Sequence, residues 1–247
     1  MSNFPVNYPK GLNDDLISRS ILLPTWSHSL HPEIQIQSID IKTADIFPGN
    51  RIGFFESDVN YKIPSNNQKN DFLFFNERIM MSGGSASIIV LIKCIETNDI
   101  YTVLVQQPRI GSGGLQFEYP AGLTDDSTDF RSTAARELEE ECGISLNEND
   151  LENELLNISE MVNGNDDKYF TNAKMFFEAT SMFLVRKKMK FSQIKELEGR
   201  YGGVDEEEQI TNHIFLFDEV INVSKDPTTL SITYIVQKLM KTGKIIF

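Results

Sequence analysis

The sequence predicts an α+β fold, on three observations. Several short runs are rich in β-branched and aromatic residues, as strands are. Three other segments carry the apolar or charge spacing of helices. The two kinds follow one another without the regular βαβ alternation of a doubly wound sheet. At 247 residues the chain can form one large domain or two modest ones, and either can bury a core.

Residues up to about Asn70 are mixed. They hold scattered prolines and a strand-like "RIGFFESDVNYKI" at 51–63, followed by "PSNNQKND", which reads as loop or linker. This predicts a β-rich N-terminal segment over 1–80 and a second domain over 81–247. From Ser85 the pattern sharpens. "ASIIVLIKCI" and "YTVLVQQPR" are strand runs separated by the turn-forming "ETND", so they predict a hairpin. "LQFEYP" is a short strand ending at Pro120, and a helix follows from about Phe130 to Cys142. "MFFEATSMFLV" and "QITNHIFLF" predict strands, with a charged helix over "KFSQIKELEGR" between them. The last element is an amphipathic helix over "TTLSITYIVQKLMKTG", opened by Asp226-Pro227 and closed by Gly243. Its apolar stripe of Ile232, Ile235, Val236, Leu239 and Met240 reads as core packing.

A net charge of -13 argues against non-specific binding to nucleic acid or to an anionic membrane. A polyanionic substrate would have to be met by a local cationic patch or by metal ions. The two cysteines, Cys94 and Cys142, sit in apolar patterns, which excludes a disulfide scaffold and fits a reducing compartment. "MSNFPVNYPK" lacks the apolar core of a signal peptide, and "ASIIVLI" falls far short of the roughly 20 residues that span a bilayer. The expectation is a soluble, cytoplasmic protein.

The helix near residue 136 carries the chemistry. Asp129 can cap its start and Gly143 its end, with Ile144 as the apolar residue beyond. Ala134, Ala135, Leu138 and Cys142 share one face, while Glu137, Glu140 and Glu141 stand at i, i+3 and i+4 on a neighbouring stripe. Glu139 points elsewhere. Converging like charges cost a few tenths of a kcal/mol per pair. Two explanations stand: a solvated acidic face, or carboxylates gathered for a hard divalent cation.

The flanks add a pattern. Gly122, Arg136-Glu137-Leu138, Glu140-Glu141 and Gly143-Ile144 resemble the Nudix box: Gly, five residues, Glu, seven residues, Arg-Glu-apolar-x-Glu-Glu-x-Gly-apolar. Eight of its nine defined positions match, and Thr128 stands at the ninth, in place of the first glutamate. "QFEYPAGLTDD" and "VLVQQPR" resemble the strands that enter this motif in Nudix enzymes acting on ADP-ribose and related nucleoside diphosphate sugars. "FPGNRIGFF" and "RIMMSGGSASIIVLI" resemble plant-type ADP-sugar pyrophosphatases. The likeness runs from about Phe47 onward.

The resemblance implies an α/β/α sandwich with a mixed sheet, preceded by the β-rich N-terminal domain, which in this group pairs two chains into a homodimer. It implies Mg²⁺ or Mn²⁺ held by Glu137, Glu140, Glu141 and the carbonyl of Ala121, with Arg136 orienting the glutamates. A general base falls in "GRYGGVDEEEQIT", at Glu208 or next at Glu207. Arg109, Glu118 and Glu178 fall at substrate-side positions. The implied reaction is hydrolysis of an ADP-sugar to AMP and a sugar phosphate. UDP-sugars, other diphosphates such as dinucleotides or CoA derivatives, and a catalytically silent nucleotide-binding domain are the alternatives. Thr128 and "TNAKMFF", which replaces the family's glycine-rich loop ahead of Glu178, are the departures that keep the last one open.

Other signals carry less. "SGGS" at 82–85 and "GSGG" at 111–114 lack the Lys-Ser/Thr of a phosphate loop and read as hairpin glycines at strand ends. His28, His31 and His213 are too scattered for a zinc site. Trp26 reads equally as core or as a partner contact.

Overall fold

The computed structural model of the chain describes residues 4–66, 71–124, 129–147, 150–164, 168–203 and 209–247. They divide into two compact units. The first comprises residues up to Gly84 together with Phe170–Ala179, and the second Ser85–Tyr169 with Thr180–Phe247.

The first unit contains β1 (Val6–Asn7), α1 (Asp14–Arg19), α2 (Leu22–His28), β2 (Gln35–Phe47), β3 (Arg51–Pro64) and the start of β4 (Phe72–Cys94). β1 lies parallel to β2, while β2, β3 and β4 form an antiparallel meander. The two short helices are a departure from the β-rich reading. Asn13 caps the first by accepting the Leu16 N–H at 2.9 Å. β2 also escaped the sequence reading, although "IQIQSIDI" alternates; register shifts at three places along its pairing with β3 interrupt the period. Leu22 and Trp26 pack with Ile39, Phe55, Val59 and Met81, so Trp26 is a core residue, with Phe4 edge-on to its ring at 6.3 Å.

"SGGS" is not a hairpin end. Residues 82–85 run inside β4. Gly83 has φ +91°, and a Cβ there would stand 2.8 Å from Leu22 Cδ2, so glycine admits both the backbone turn and the close approach of α2. "GSGG" does lie in a hairpin loop: a short 3₁₀ turn at 110–112, then Gly113 at φ +73°.

The second unit takes up the rest of β4 and continues with β5 (Ile100–Arg109), β6 (Gly114–Glu118), β7 (Ala121–Leu123) and α3 (Phe130–Cys142). Then come β8 (Leu156–Asn157), α4 (Ile158–Asn163), β9 (Tyr169–Phe170), β10 (Phe176–Met189) and α5 (Phe191–Lys195), of which residues 170–179 belong to the first unit. β11 (Tyr201–Gly202), β12 (Ile210–Leu216), α6 (Val220–Val223) and α7 (Pro227–Lys241) complete it. β4, β5, β12 and β11 pair in that order, with β6 also on β5 and β7 on β4.

Alternation along β4 explains the layers. Ile88, Val90 and Ile92 pack on the face that α3 covers with Ala134, Leu138 and Cys142. Ile89 and Leu91 point the other way, against Ile232, Val236 and Leu239 of α7. A sheet with a helix on each face is the α+β sandwich the sequence predicts. The charged helix expected over 190–200 shortens to α5. Gly199, at φ +72°, turns the chain so that its N–H donates to the Asn212 carbonyl at 2.8 Å. Glu198 then accepts the Ile214 N–H at 2.7 Å instead of extending a helix. Among the described residues, no helix is long and apolar enough to cross a membrane.

Candidate active site

α3 begins and ends as its sequence dictates. The Asp129 carboxylate accepts the Ser132 N–H at 3.1 Å and its hydroxyl at 2.5 Å, and these bonds hold the carboxyl below its usual range. Gly143 takes the left-handed conformation at φ +66°, its N–H donating to Glu139 and that of Ile144 to Leu138. Cys142 lies in the core on this helix, where burial pushes its thiol pKa up; it is a packing residue, not a nucleophile.

The glutamates do not form a solvated face. Glu137 and Glu141 are only 8% and 6% exposed, and Glu140 is half-buried, whereas Glu139 is exposed and accepts the Ser145 hydroxyl. Arg136 bridges two of them, 2.6 Å from Glu137 Oε1 and 2.6 Å from Glu140 Oε2. Glu141 Oε2 accepts the Ala121 N–H at 3.1 Å. All these carboxylates stand in the C-terminal half of the helix, whose last turn holds no basic residue, so the macrodipole opposes them. Burial, mutual repulsion and dipole thus act together against stability.

Glycines bring the backbone up to these carboxylates. A Cβ on Gly122 would lie 1.9 Å from Glu137 Oε1, so no side chain fits there. On the other flank a Cβ on Gly202 would lie 2.0 Å from the Glu141 carbonyl oxygen, and the Gly203 N–H donates to the Glu140 carbonyl at 3.0 Å. The packing of this glycine pair on α3 leaves no mark in the local sequence pattern. Arg109, at the end of β5, and Glu118, at the end of β6, pair through contacts of 2.7–3.1 Å. Chiefly through that bond the guanidinium pKa is raised, with Glu141 adding a smaller effect.

Together Arg109, Gly122, Arg136, Glu137, Glu140 and Glu141 line a cleft of about 510 Å³, within the usual range of small-ligand sites. The structure therefore gathers Arg109, Ala121, Arg136, Glu137, Glu140 and Glu141, with Glu118 held on Arg109. Glu178 stands on β10, in the part grouped with the first unit, and is not among the described residues lining the cleft. Thr128, Glu207 and Glu208 lie outside the described residues. Carboxylate oxygens, two of three largely buried, are the donor set a hard divalent cation uses. Among the described residues no group of three or more His, Cys, Asp or Glu stands in metal-ligating geometry; Arg136 and the Ala121 N–H engage these carboxylates.

No protein-family model matches the chain. Over 204 residues it is 29% identical to Nudix hydrolase 14, chloroplastic, of Arabidopsis thaliana, a match covering 76% of this chain. In sequence the chain is thus similar to a Nudix hydrolase. It spans 60% of that relative's length. A similar fold also appears in the crystal structure of an ADP compounds hydrolase. The TM-score is 0.56 over 88% of this chain and 99% of that one, at 13% identity, and the likeness is one of fold.

Proposed function

We propose that the chain hydrolyses the diphosphate bond of a nucleoside diphosphate sugar, ADP-ribose or ADP-glucose, to AMP and a sugar phosphate. The observation that carries this reading is the pair of buried glutamates, Glu137 and Glu141, lining a cleft beside Arg136 and Arg109. Similarity to a Nudix hydrolase of Arabidopsis and to the fold of an ADP compounds hydrolase supports hydrolysis of a nucleoside diphosphate compound.

In this reading Glu137, Glu140, Glu141 and the Ala121 carbonyl hold Mg²⁺ or Mn²⁺. A bound divalent cation neutralises diphosphate charge, polarises phosphorus and lowers the pKa of a ligated water. Arg136 balances the glutamates before a cation arrives. Glu118 fixes the plane of the Arg109 guanidinium, which then meets the phosphates as an oriented fork. Glu208, with Glu207 second, is assigned the general-base role, and Glu178 a substrate contact. Residues 1–80 are assigned to homodimer formation, supported by Leu73, Phe74 and Phe75, which expose 47%, 72% and 38% of their surfaces on β4. The place of action is proposed to be the cytoplasm.

Thr128 favours one second reading, a domain that binds a nucleotide without turning it over. Incubation of pure protein and Mg²⁺ with ADP-ribose, ADP-glucose or UDP-glucose, followed by nucleotide chromatography, separates the two. AMP from the ADP-sugars, abolished by EDTA, is the expected result. UMP alone would move the substrate to UDP-sugars, and no product from any of the three would favour the silent domain.

A further inference from the structure

The cleft wall beside α3 is held from far away in the sequence. Between β6 and β7 the chain makes a two-residue jog, Tyr119-Pro120, which belongs to neither strand. The jog joins Glu118, the partner of Arg109, to Ala121, the partner of Glu141. A buried backbone must find partners, and here they come from two directions. From β4, the Ile88 N–H donates to the Pro120 carbonyl at 2.9 Å, with the Ser87 hydroxyl at 3.4 Å. From the C-terminal part of the chain come three hydroxyls. Ser224 donates to the Phe117 carbonyl at 2.7 Å, Thr229 Oγ1 accepts the Tyr119 N–H at 3.2 Å, and Thr233 Oγ1 lies 2.9 Å from the Tyr119 hydroxyl.

Thr229 and Thr233 are 1% and 0% exposed, and Tyr119 is 2% exposed. Helix propensity does not explain this choice, since β-branched residues are unremarkable helix formers and apolar side chains would pack as well in this core. The two threonines are one turn apart on α7 and themselves linked, Thr233 donating to the Thr229 carbonyl at 2.8 Å. The Asp226 carboxylate fixes the same turn by accepting the Thr229 N–H at 2.7 Å.

We infer that Thr229 and Thr233 are positioning residues: through Tyr119 they set where Ala121 and Glu118 stand, and so the spacing between the Arg109–Glu118 pair and Glu141. The inference rests on the hydrolase reading of the cleft for its effect on rate. The geometry it describes stands apart from that reading.

The test uses the full chain with Thr229→Val, which keeps the shape and removes the acceptor, and Thr229→Ser, which restores it. Two readouts are taken: exchange of the Ala121 amide proton by NMR, and steady-state hydrolysis of ADP-ribose. In Thr229→Val the Ala121 amide exchanges at least about 10-fold faster, and kcat falls about 10-fold with KM little changed, as expected for small displacements of a reacting geometry. Thr229→Ser returns both toward the wild-type values. Wild-type exchange and kcat in Thr229→Val, or a serine variant as impaired as the valine one, would overturn the inference. Should Thr229→Val not fold, Tyr119→Phe, which removes the hydroxyl that meets Thr233, carries the test with the same signs. A wild-type chain that hydrolyses nothing sinks the hydrolase reading, and the amide exchange then still decides the positioning role.

Discussion

Arg78 in the first unit and Arg136 in the second each bridge two carboxylates. Arg78, on β4, stands 2.8 Å from Asp58 and 3.3 Å from Glu56 on β3, and Lys42 of β2 adds a contact of 3.1 Å to Asp58. Asp58 and Arg78 are direct cross-strand partners, so opposite charges meet on neighbouring strands. Cations and anions balance there, two against two, and Arg78 is 59% exposed. Around Arg136 one cation meets Glu137 and Glu140 on its own helix, with Glu141 beside them. Two of those three carboxylates are largely buried. A balanced cluster around a largely exposed arginine is what stability and solubility ask for. An unbalanced, buried one in the wrong half of a helix reads as a place for another cation.

The largest effect that would test this contrast is on rate. Glu141→Gln keeps an oxygen able to accept the Ala121 N–H and removes the charge, so kcat falls at least ~100-fold, the scale of lost electrostatic catalysis, while the fold survives. Unchanged turnover would end the assignment of Glu141 as a cation ligand. Gly122→Ala comes next. Its Cβ displaces the Glu137 carboxylate, and initial rates drop about 10- to 100-fold, as a misplaced group near the reacting centre does.

Arg136→Gln acts on stability. Removing the counter-cation from a buried glutamate lowers the unfolding free energy by about 1–2 kcal/mol in urea melts. Millimolar Mg²⁺ returns that loss, because a ligand of the folded state stabilises it. A melt indifferent to Mg²⁺ would mean that the glutamates are no cation site.

The smallest effect belongs to the first unit. Arg78→Gln shifts the urea midpoint less than Arg136→Gln does, and Mg²⁺ leaves that shift unchanged, since exposed pairs contribute little. Its mark is in acid. Hydrogen bonds from Arg78, and then Lys42, hold the Asp58 carboxyl at about 2, below its ordinary value of 3.8. A depressed carboxyl stabilises the fold above the ordinary value, and that contribution fades as pH falls toward about 2. Urea midpoints measured between these limits should flatten in Arg78→Gln. A wild-type acid profile in that variant would remove Asp58 from the account.

By itself the sequence determined what depends on neighbours along the chain. Asp129 and Gly143 bound α3, Asp226-Pro227 opens α7, and the i, i+3, i+4 spacing puts Glu137, Glu140 and Glu141 on one stripe. These follow from the helical repeat and from local caps. Only the tertiary structure decided that the stripe is buried, that Gly122 makes room for Glu137 and Gly202 for the Glu141 backbone, and that Arg109 and Glu118 meet across a hairpin. It also ended α5 at Lys195 and anchored Tyr119 to a helix 110 residues further on. The reason is physical. A periodicity fixes which side chains share a face, but which surfaces then meet depends on packing between segments far apart in the chain, and no local pattern records it.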